Sequence, residues 1–305
     1  VHYPFDSRIF HKECRSLAAA GYTVTLVAPH VREETVDGVH MVPVTKARRR
    51  PERFWRVGRE VLRAALALDA DVYHFHDPEL IPVGLLLKLR GKRVIYDVHE
   101  DLPRDVLDKA WIHPQVRRLA AVTVSLVEAV AARCLDAVIC TTPSILRRFP
   151  SRKSVMVRNF PILGELASRA AVDYRERPFG AVYVGGITPS RGAREMVRAV
   201  ASVPEGRKVT LVLAGEIEPD ELAQELRMEP GWRRVQALGW LDRAGVARVL
   251  SEARVGLVAL HPTPGYRNAY PIKLFEYMAV GLPVIASDFP LWRGIVEGAG
   301  CGLLV

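Results

Sequence analysis

Ala181-Val182-Tyr183-Val184-Gly185-Gly186-Ile187-Thr188-Pro189-Ser190-Arg191-Gly192 reads as a buried strand, a glycine pair and the start of a helix. Its first four residues are apolar without alternation, as a strand covered on both faces must be. Glycines let the backbone approach a bulky anion closely. Arg191 near a helix start would suit a diphosphate. A plain strand-to-helix turn has the same local pattern, and the run is not GxGxxG, so the surrounding chain has to decide.

Outward from this stretch, strand-like and helix-like runs alternate. Thr23–Ala28, Val39–Val44, Asp71–Phe75, Arg93–Asp97 and Ala137–Thr141 read as strands before it, and Val209–Ala214, Arg254–Leu260, Pro283–Ala286 and Gly302–Val305 after it. Helical patterns cover Arg8–Ala20, Glu52–Leu68, Leu80–Leu89, Val116–Arg133, Arg191–Ser202, Glu221–Glu229, Arg243–Glu252 and Ile272–Ala279. Gly21 and Gly281 fall where left-handed helix caps belong. Such alternation is the mark of parallel α/β sheets. It pauses over 157–178, which reads as a linker. The expected architecture is two doubly wound domains, 1–160 and 161–305, facing a cleft, with ligands at the carboxyl ends of the strands. Val1-His2-Tyr3-Pro4 resembles a loop after a strand that does not precede it, and the chain stops on a strand. The expectation is therefore truncation at both ends: a first strand and closing C-terminal helices lying outside the 305 residues.

Composition fits a globular protein, with 49% hydrophobic and 25% charged residues. The longest uncharged stretch in the apolar middle, Leu119–Val127, is far shorter than the ~20 residues a membrane span needs. Cys14, Cys134, Cys140 and Cys301 form no CxxC pair, which argues against zinc or a disulfide framework and fits a cytoplasmic location. Net charge is +9, with +7 in residues 1–165 and +2 in residues 166–305. That excess points to an anionic partner for the first half. On a helical wheel Arg49, Arg53, Arg56, Arg59 and Arg63 share one stripe beside Trp55. The stripe suits anionic lipid headgroups at the inner face of a membrane; a solvated helix face is the other reading. No aromatic–basic RNA motif accompanies the charge, so nucleic acid is not an expected partner.

Three further segments could carry chemistry. In Asn268-Ala269-Tyr270-Pro271-Ile272-Lys273-Leu274-Phe275-Glu276-Tyr277, proline suits a helix start. Lys273 and Glu276 then share one helical face. The helix start and Lys273 suit a phosphate, and Glu276 suits the two hydroxyls of a ribose. A surface ion pair is the bland alternative. Tyr96-Asp97-Val98-His99-Glu100 and His74-Phe75-His76-Asp77 each end a strand, where an open sheet presents side chains. His99 could bond a sugar hydroxyl or manage a proton. His74 and His76 read equally as hydrogen-bonded structural histidines. No HxxxH or HExxH spacing is present, and no metal is expected.

Together these segments resemble the family 4 glycosyltransferases over nearly the whole chain. Tyr3–Phe10 with Leu17-Ala18-Ala19-Ala20-Gly21-Tyr22-Thr23-Val24 is similar to the family's first loop and helix, and Asp71-Val72-Tyr73-His74-Phe75-His76 to its D-V-x-H-x-H strand. The resemblance implies the GT-B fold and a retaining enzyme that takes a nucleotide-sugar donor, in polysaccharide or glycolipid synthesis, with no metal cofactor. It places His99 against the donor sugar and Arg191-Gly192 where a Lys-Gly binds the diphosphate. It also places Leu238-Gly239-Trp240-Leu241 against the base and Glu276 on the ribose. Asn268 stands where the family's first glutamate falls, and Gly186 where many members have arginine. Lys273 is the expected replacement cation. The candidate catalytic residues are thus His99, Arg191 and Lys273. The donor-binding set is Gly185, Gly186, Arg191, Trp240, Leu241, Asn268, Lys273 and Glu276. Asp6, Arg8, His76 and Glu100 are the acceptor-side candidates, for a sugar or lipid-linked acceptor. Two rival functions remain: a non-catalytic nucleotide-sugar-binding protein, which Asn268 would favour, and a sugar-nucleotide epimerase.

Overall fold

The structure is a computed structural model and describes residues 3–47, 52–108, 112–166, 172–207 and 209–305. The chain forms two compact units, Val1–Asn159 and Phe160–Val305.

In the first unit, a π-helical stretch Ile9–Cys14 runs into α1 (Arg15–Ala19) and then β1 (Val24–Pro29), β2 (Glu34–Val36) and β3 (Val39–Val44). A second π-helical stretch, Arg53–Val57, leads into α2 (Gly58–Leu68). There follow β4 (Val72–Phe75), α3 (Ile81–Leu89), β5 (Arg93–Val98), α4 (Leu102–Asp108), α5 (Pro114–Cys134), β6 (Ala137–Cys140), α6 (Pro143–Leu146) and β7 (Ser154–Met156). The strands make two sheets, β1-β3-β2 and β4-β5-β6-β7. All pairings are parallel except β2 against β3. Phe75, Val94, Tyr96, Val138 and Cys140 form the core of the larger sheet, against Leu87 and Ala131 of the helices.

α5 is unusual. Val116, Leu119, Val122, Leu126, Val127 and Val130 are 48–68% exposed, and Arg118 and Arg133 are the exposed charges near its two ends. No described helix is long and apolar enough to cross a membrane.

The second unit contains β8 (Phe179–Val184), α7 (Ala193–Ala201), β9 (Leu211–Ala214), α8 (Asp220–Met228), β10 (Val235–Gly239), α9 (Arg243–Glu252) and β11 (Ala253–Val258). It closes with α10 (Pro264–Arg267), α11 (Ile272–Ala279), β12 (Val284–Ala286), α12 (Pro290–Ala299) and β13 (Gly302–Leu304). One six-stranded sheet runs β10-β9-β8-β11-β12-β13, every pairing parallel. In sequence order that is 3-2-1-4-5-6, the doubly wound arrangement whose switch point lies between its first and fourth strands. Here those strands are β8 and β11. Val182 and Val212 pack on one face with α9, α11 and α12. Tyr183, Leu211 and Leu213 pack on the other with α7 and α8. Double coverage is why these strands are apolar at successive positions rather than alternate ones.

Both units are Rossmann-like. Gly21 and Gly281 take positive φ at the ends of their helices, as expected. The elements that the sequence reading did not name are β2, β7, β10, α4, α6, α10 and α12. β10 is a half-exposed edge strand without a continuous apolar run. α12 carries Pro290 and Gly294, residues that weaken a helical pattern.

Candidate active site

β8 ends at Val184, and Gly185 takes φ +121°, a conformation that side chains disfavour. The chain turns through Gly186 and a 3-10 turn, Pro189–Arg191, into α7. Gly192, at φ +72°, lies so close to the Ala259 carbonyl that a Cβ there would collide with it. His261 N donates to the Ser190 carbonyl at 2.9 Å. The loops leaving β8 and β11 are thereby locked together at the switch point of the sheet.

Two cations converge on this turn. A Cβ built on Gly185 would lie 3.5 Å from Lys273 Nζ, and one built on Gly186 would lie 2.8 Å from Arg191 Nη1. Arg191 Nη1 donates to the Gly186 carbonyl at 3.1 Å, and its Nε to Tyr266 Oη at 3.4 Å. Lys273 Nζ sits over the Tyr183 ring, 4.7 Å from its centroid, a cation–π contact. Burial, and then the charge of Arg191, push the Lys273 ammonium down to about 7. Tyr277 Oη accepts from Val184 N at 3.1 Å and ties α11 to the end of β8. The site therefore sets two cations side by side, with the charge of Glu276 offsetting only part of what burial and Arg191 cost the Lys273 ammonium.

Glu276, one turn beyond Lys273, is 9% exposed. Its Oε1 accepts from Arg243 Nη1 at 2.8 Å. Arg243 also grips Glu165, Nη2 to Oε2 at 2.8 Å and Nε to Oε1 at 3.2 Å. Asn268 lies outside α11, exposed, with Nδ2 donating to the Pro264 carbonyl at 3.0 Å. Trp240 follows β10 and is 68% exposed, while Leu241 packs against the core.

In the first unit, Asp6 Oδ1 accepts from Arg8 N at 2.8 Å and Ile9 N at 2.9 Å, capping the first helical turn. Arg8 is 6% exposed. Its Nη2 bonds both oxygens of the fully buried Asp97, at 3.0 and 2.7 Å, and its Nε lies 2.9 Å from Glu13 Oε1. His74 and His76 stack at 4.6 Å, their ring nitrogens 3.4 and 3.6 Å from Asp97 Oδ2. Burial, then His74, push His76 down to about 3, and burial, then Asp97, push Glu13 up to about 8. Burial would raise Asp97 too, but His74 and Arg8 hold it below the usual carboxylate range. Ligand atoms of Glu13, His74, His76 and Asp97 lie within 4.8 Å of one another. By residue type this set could hold a metal. The Arg8 guanidinium already occupies both Asp97 oxygens, however, and a dication would have to displace it. The His99 ring lies 6.0 Å from that of His76, and Glu100 is exposed.

Residues 7–156 match the model of Glycosyltransferase Family 4, and residues 178–305 match that of Glycosyl transferases group 1. The chain belongs to the family 4 glycosyltransferases. No curated protein matches it in sequence. Among solved structures it is similar to sucrose-phosphate synthase from Thermosynechococcus elongatus, at 23% identity and TM-score 0.73, over 98% of this chain and 80% of the other. WaaG, a glycosyltransferase involved in lipopolysaccharide biosynthesis, matches at 15% identity and TM-score 0.72, over 100% and 84%. Anabaena HepE, solved in complex with UDP-glucose, matches at 16% identity and TM-score 0.65, over 88% and 72%. These likenesses establish the GT-B type of fold.

The second unit of this glycosyltransferase brings to the turn side chains to which the sequence alone assigns no role. Tyr183 and Tyr266 cradle the two cations, and Arg243 and Glu165 bracket Glu276. In the sequence Tyr183 is one more apolar residue of a buried strand. Nothing in the local spacing pairs Arg243 with a carboxylate 33 positions away.

Proposed function

We propose that this glycosyltransferase moves a sugar from a nucleotide-diphosphate donor to an acceptor with retention of anomeric configuration. The observation that carries the reading is the convergence of Arg191 and Lys273 on Gly185–Gly186 at the sheet's switch point. Negative charge grows on the diphosphate as the sugar–phosphate bond breaks. Two fixed cations and the backbone of the turn stabilise it without reorganising. Protein groups thus supply the positive charge, and the proposal requires no metal ion. HepE, alike in fold, holds UDP-glucose, which supports a nucleotide sugar as donor. WaaG's part in lipopolysaccharide synthesis supports a polysaccharide or glycolipid product. The family likeness supports retention: the acceptor arrives on the face the phosphate leaves, and that phosphate takes its proton. His99 serves the transferred sugar and Trp240-Leu241 the base, and the free cysteines suit a cytoplasmic setting.

Arg191→Ala should lower turnover by about 100-fold, measured as nucleoside diphosphate released across a panel of donors and acceptors. A rate within a few-fold of wild type would remove Arg191 from the chemistry. Epimerised donor formed without acceptor would replace transfer with the epimerase reading.

The acceptor side carries a second proposal, peripheral contact with an anionic membrane where a lipid-linked acceptor waits. Arg49 lies outside the described residues, as does the side chain of Arg53. Arg56, Arg59 and Arg63 are exposed, and Trp55 is 77% exposed beside them. The exposed aliphatic face of α5 adds apolar surface to the same unit. Co-sedimentation with liposomes should rise with phosphatidylglycerol content and fall when Arg53, Arg56 and Arg59 are changed to glutamate. Indifference to both would exclude the contact.

A further inference from the structure

Glu276 is nine-tenths buried on α11, and its carboxylate is held by one side chain among the contacts described, Arg243. A carboxylate so placed has few ways to settle. Its oxygens can turn toward Lys273, whose ammonium already feels its charge, or toward Arg243. The guanidinium decides the matter by geometry. Arg243 is the first residue of α9, and Asp242 caps that helix by accepting from Gly245 N at 2.7 Å. Its outer edge forks onto both oxygens of Glu165, at 3.2 and 2.8 Å, leaving Nη1 directed at Glu276 Oε1 at 2.8 Å. A planar guanidinium gripped along one edge cannot rotate. Glu276 Oε1 is thus fixed, and Oε2 is the oxygen left for an incoming ligand.

We propose that Arg243 is a positioning residue that sets the Glu276 carboxylate for the vicinal hydroxyls of the donor's ribose, and that Glu165 acts one step further out by locking Arg243. The inference rests on the proposed donor site above. It assigns the chain a three-residue relay, Glu165 to Arg243 to Glu276, in which two residues never touch the nucleotide. The relay explains why two carboxylates gather around a single arginine beside a site meant for an anion. One of them is the tool, and the other anchors what holds it.

The test compares UDP, GDP and ADP with their 2′,3′-dideoxy counterparts, by calorimetry on wild type, Arg243→Ala, Arg243→Lys and Glu165→Gln. Wild type should prefer the ribose form of its nucleotide by about 10-fold or more, the worth of hydrogen bonds to a charged group. Arg243→Ala should bring that ratio close to one by weakening the ribose form while leaving the dideoxy form nearly unchanged. A purely structural role would weaken both alike. Arg243→Lys, a point charge that cannot fork, should fall between, and Glu165→Gln should lower the ratio less than Arg243→Ala. If Arg243→Ala does not fold, the ratios of the lysine and glutamine variants decide, and wild-type ratios in both overturn the role. An unchanged ratio in a folded Arg243→Ala overturns it too, leaving the donor site intact. Failure of wild type to bind any of the three diphosphates overturns the donor site itself, and this role with it.

Discussion

Replacing Lys273 with methionine should make the ligand-free protein more stable and almost inactive. The side chain is half-buried, and its ammonium is pushed from 10.5 to about 7 by burial and by Arg191. Because the group is a base whose folded value is depressed, folding is penalised in full below pH 7, where the lysine is charged in both states. The penalty fades as pH climbs from 7 toward 10.5. Methionine keeps the apolar stem and removes the penalty. The gain is about 2 kcal/mol near pH 6, less than the whole shift would give because some water still reaches the residue. That corresponds to roughly 5 °C in melting temperature. The advantage should shrink steadily toward pH 10. Turnover should fall by about 100-fold or more, and added nucleoside diphosphate should no longer raise the melting temperature as it does for wild type. Donor affinity of the unaltered protein should weaken as pH rises above 7, since the diphosphate must then recruit a proton to Lys273. Scanning calorimetry from pH 6 to 10, with and without UDP, GDP or ADP, reads all of this. A methionine variant less stable than wild type at pH 6, or one still protected by diphosphate, would show that Lys273 holds no unsatisfied charge for a ligand.

Arg8→Met should be the most damaging change in the first unit. Asp97 is fully buried, and both its oxygens accept from Arg8. Removing the guanidinium strands a carboxylate in a dry interior, beside histidine nitrogens at 3.4 and 3.6 Å. Breaking such a pair costs about 3–5 kcal/mol, a large part of the stability of a unit this size. Urea titration monitored by tryptophan fluorescence should show the loss. The double variant Arg8→Met with Asp97→Leu should recover much of it, because an apolar pair needs no charge partner. A single variant within about 1 kcal/mol of wild type would mean that the pair contributes little.

The physics of burial explains what the sequence disclosed. Ala181–Val184 and Val39–Val44 could be read as strands because packing forces apolar residues there. Arg243–Glu252 and Ile272–Ala279 were legible as helices to the residue, since each shows one apolar stripe and a clear start. β10 escaped because an edge strand, half-exposed, need not be apolar. The glycine turn after β8 was legible together with Arg191, five positions on, whereas Lys273 stands 82 positions beyond Arg191 and only the fold brings it to the same turn. The sequence gives no sign that Arg8 is buried against a partner 89 positions away. Arg243 escaped for the same reason. Ion pairs across such distances leave no period or spacing behind, and only the folded chain reveals them.

Tyr183, Gly185, Gly186, Arg191, Arg243, Tyr266, Lys273 and Glu276 all belong to the second compact unit. On the proposed donor site, a lineage can exchange or diversify its first 159 residues without rebuilding the turn that would hold the diphosphate. Chimeras joined near Asn159 should keep the nucleotide preference of whichever parent supplied the later half.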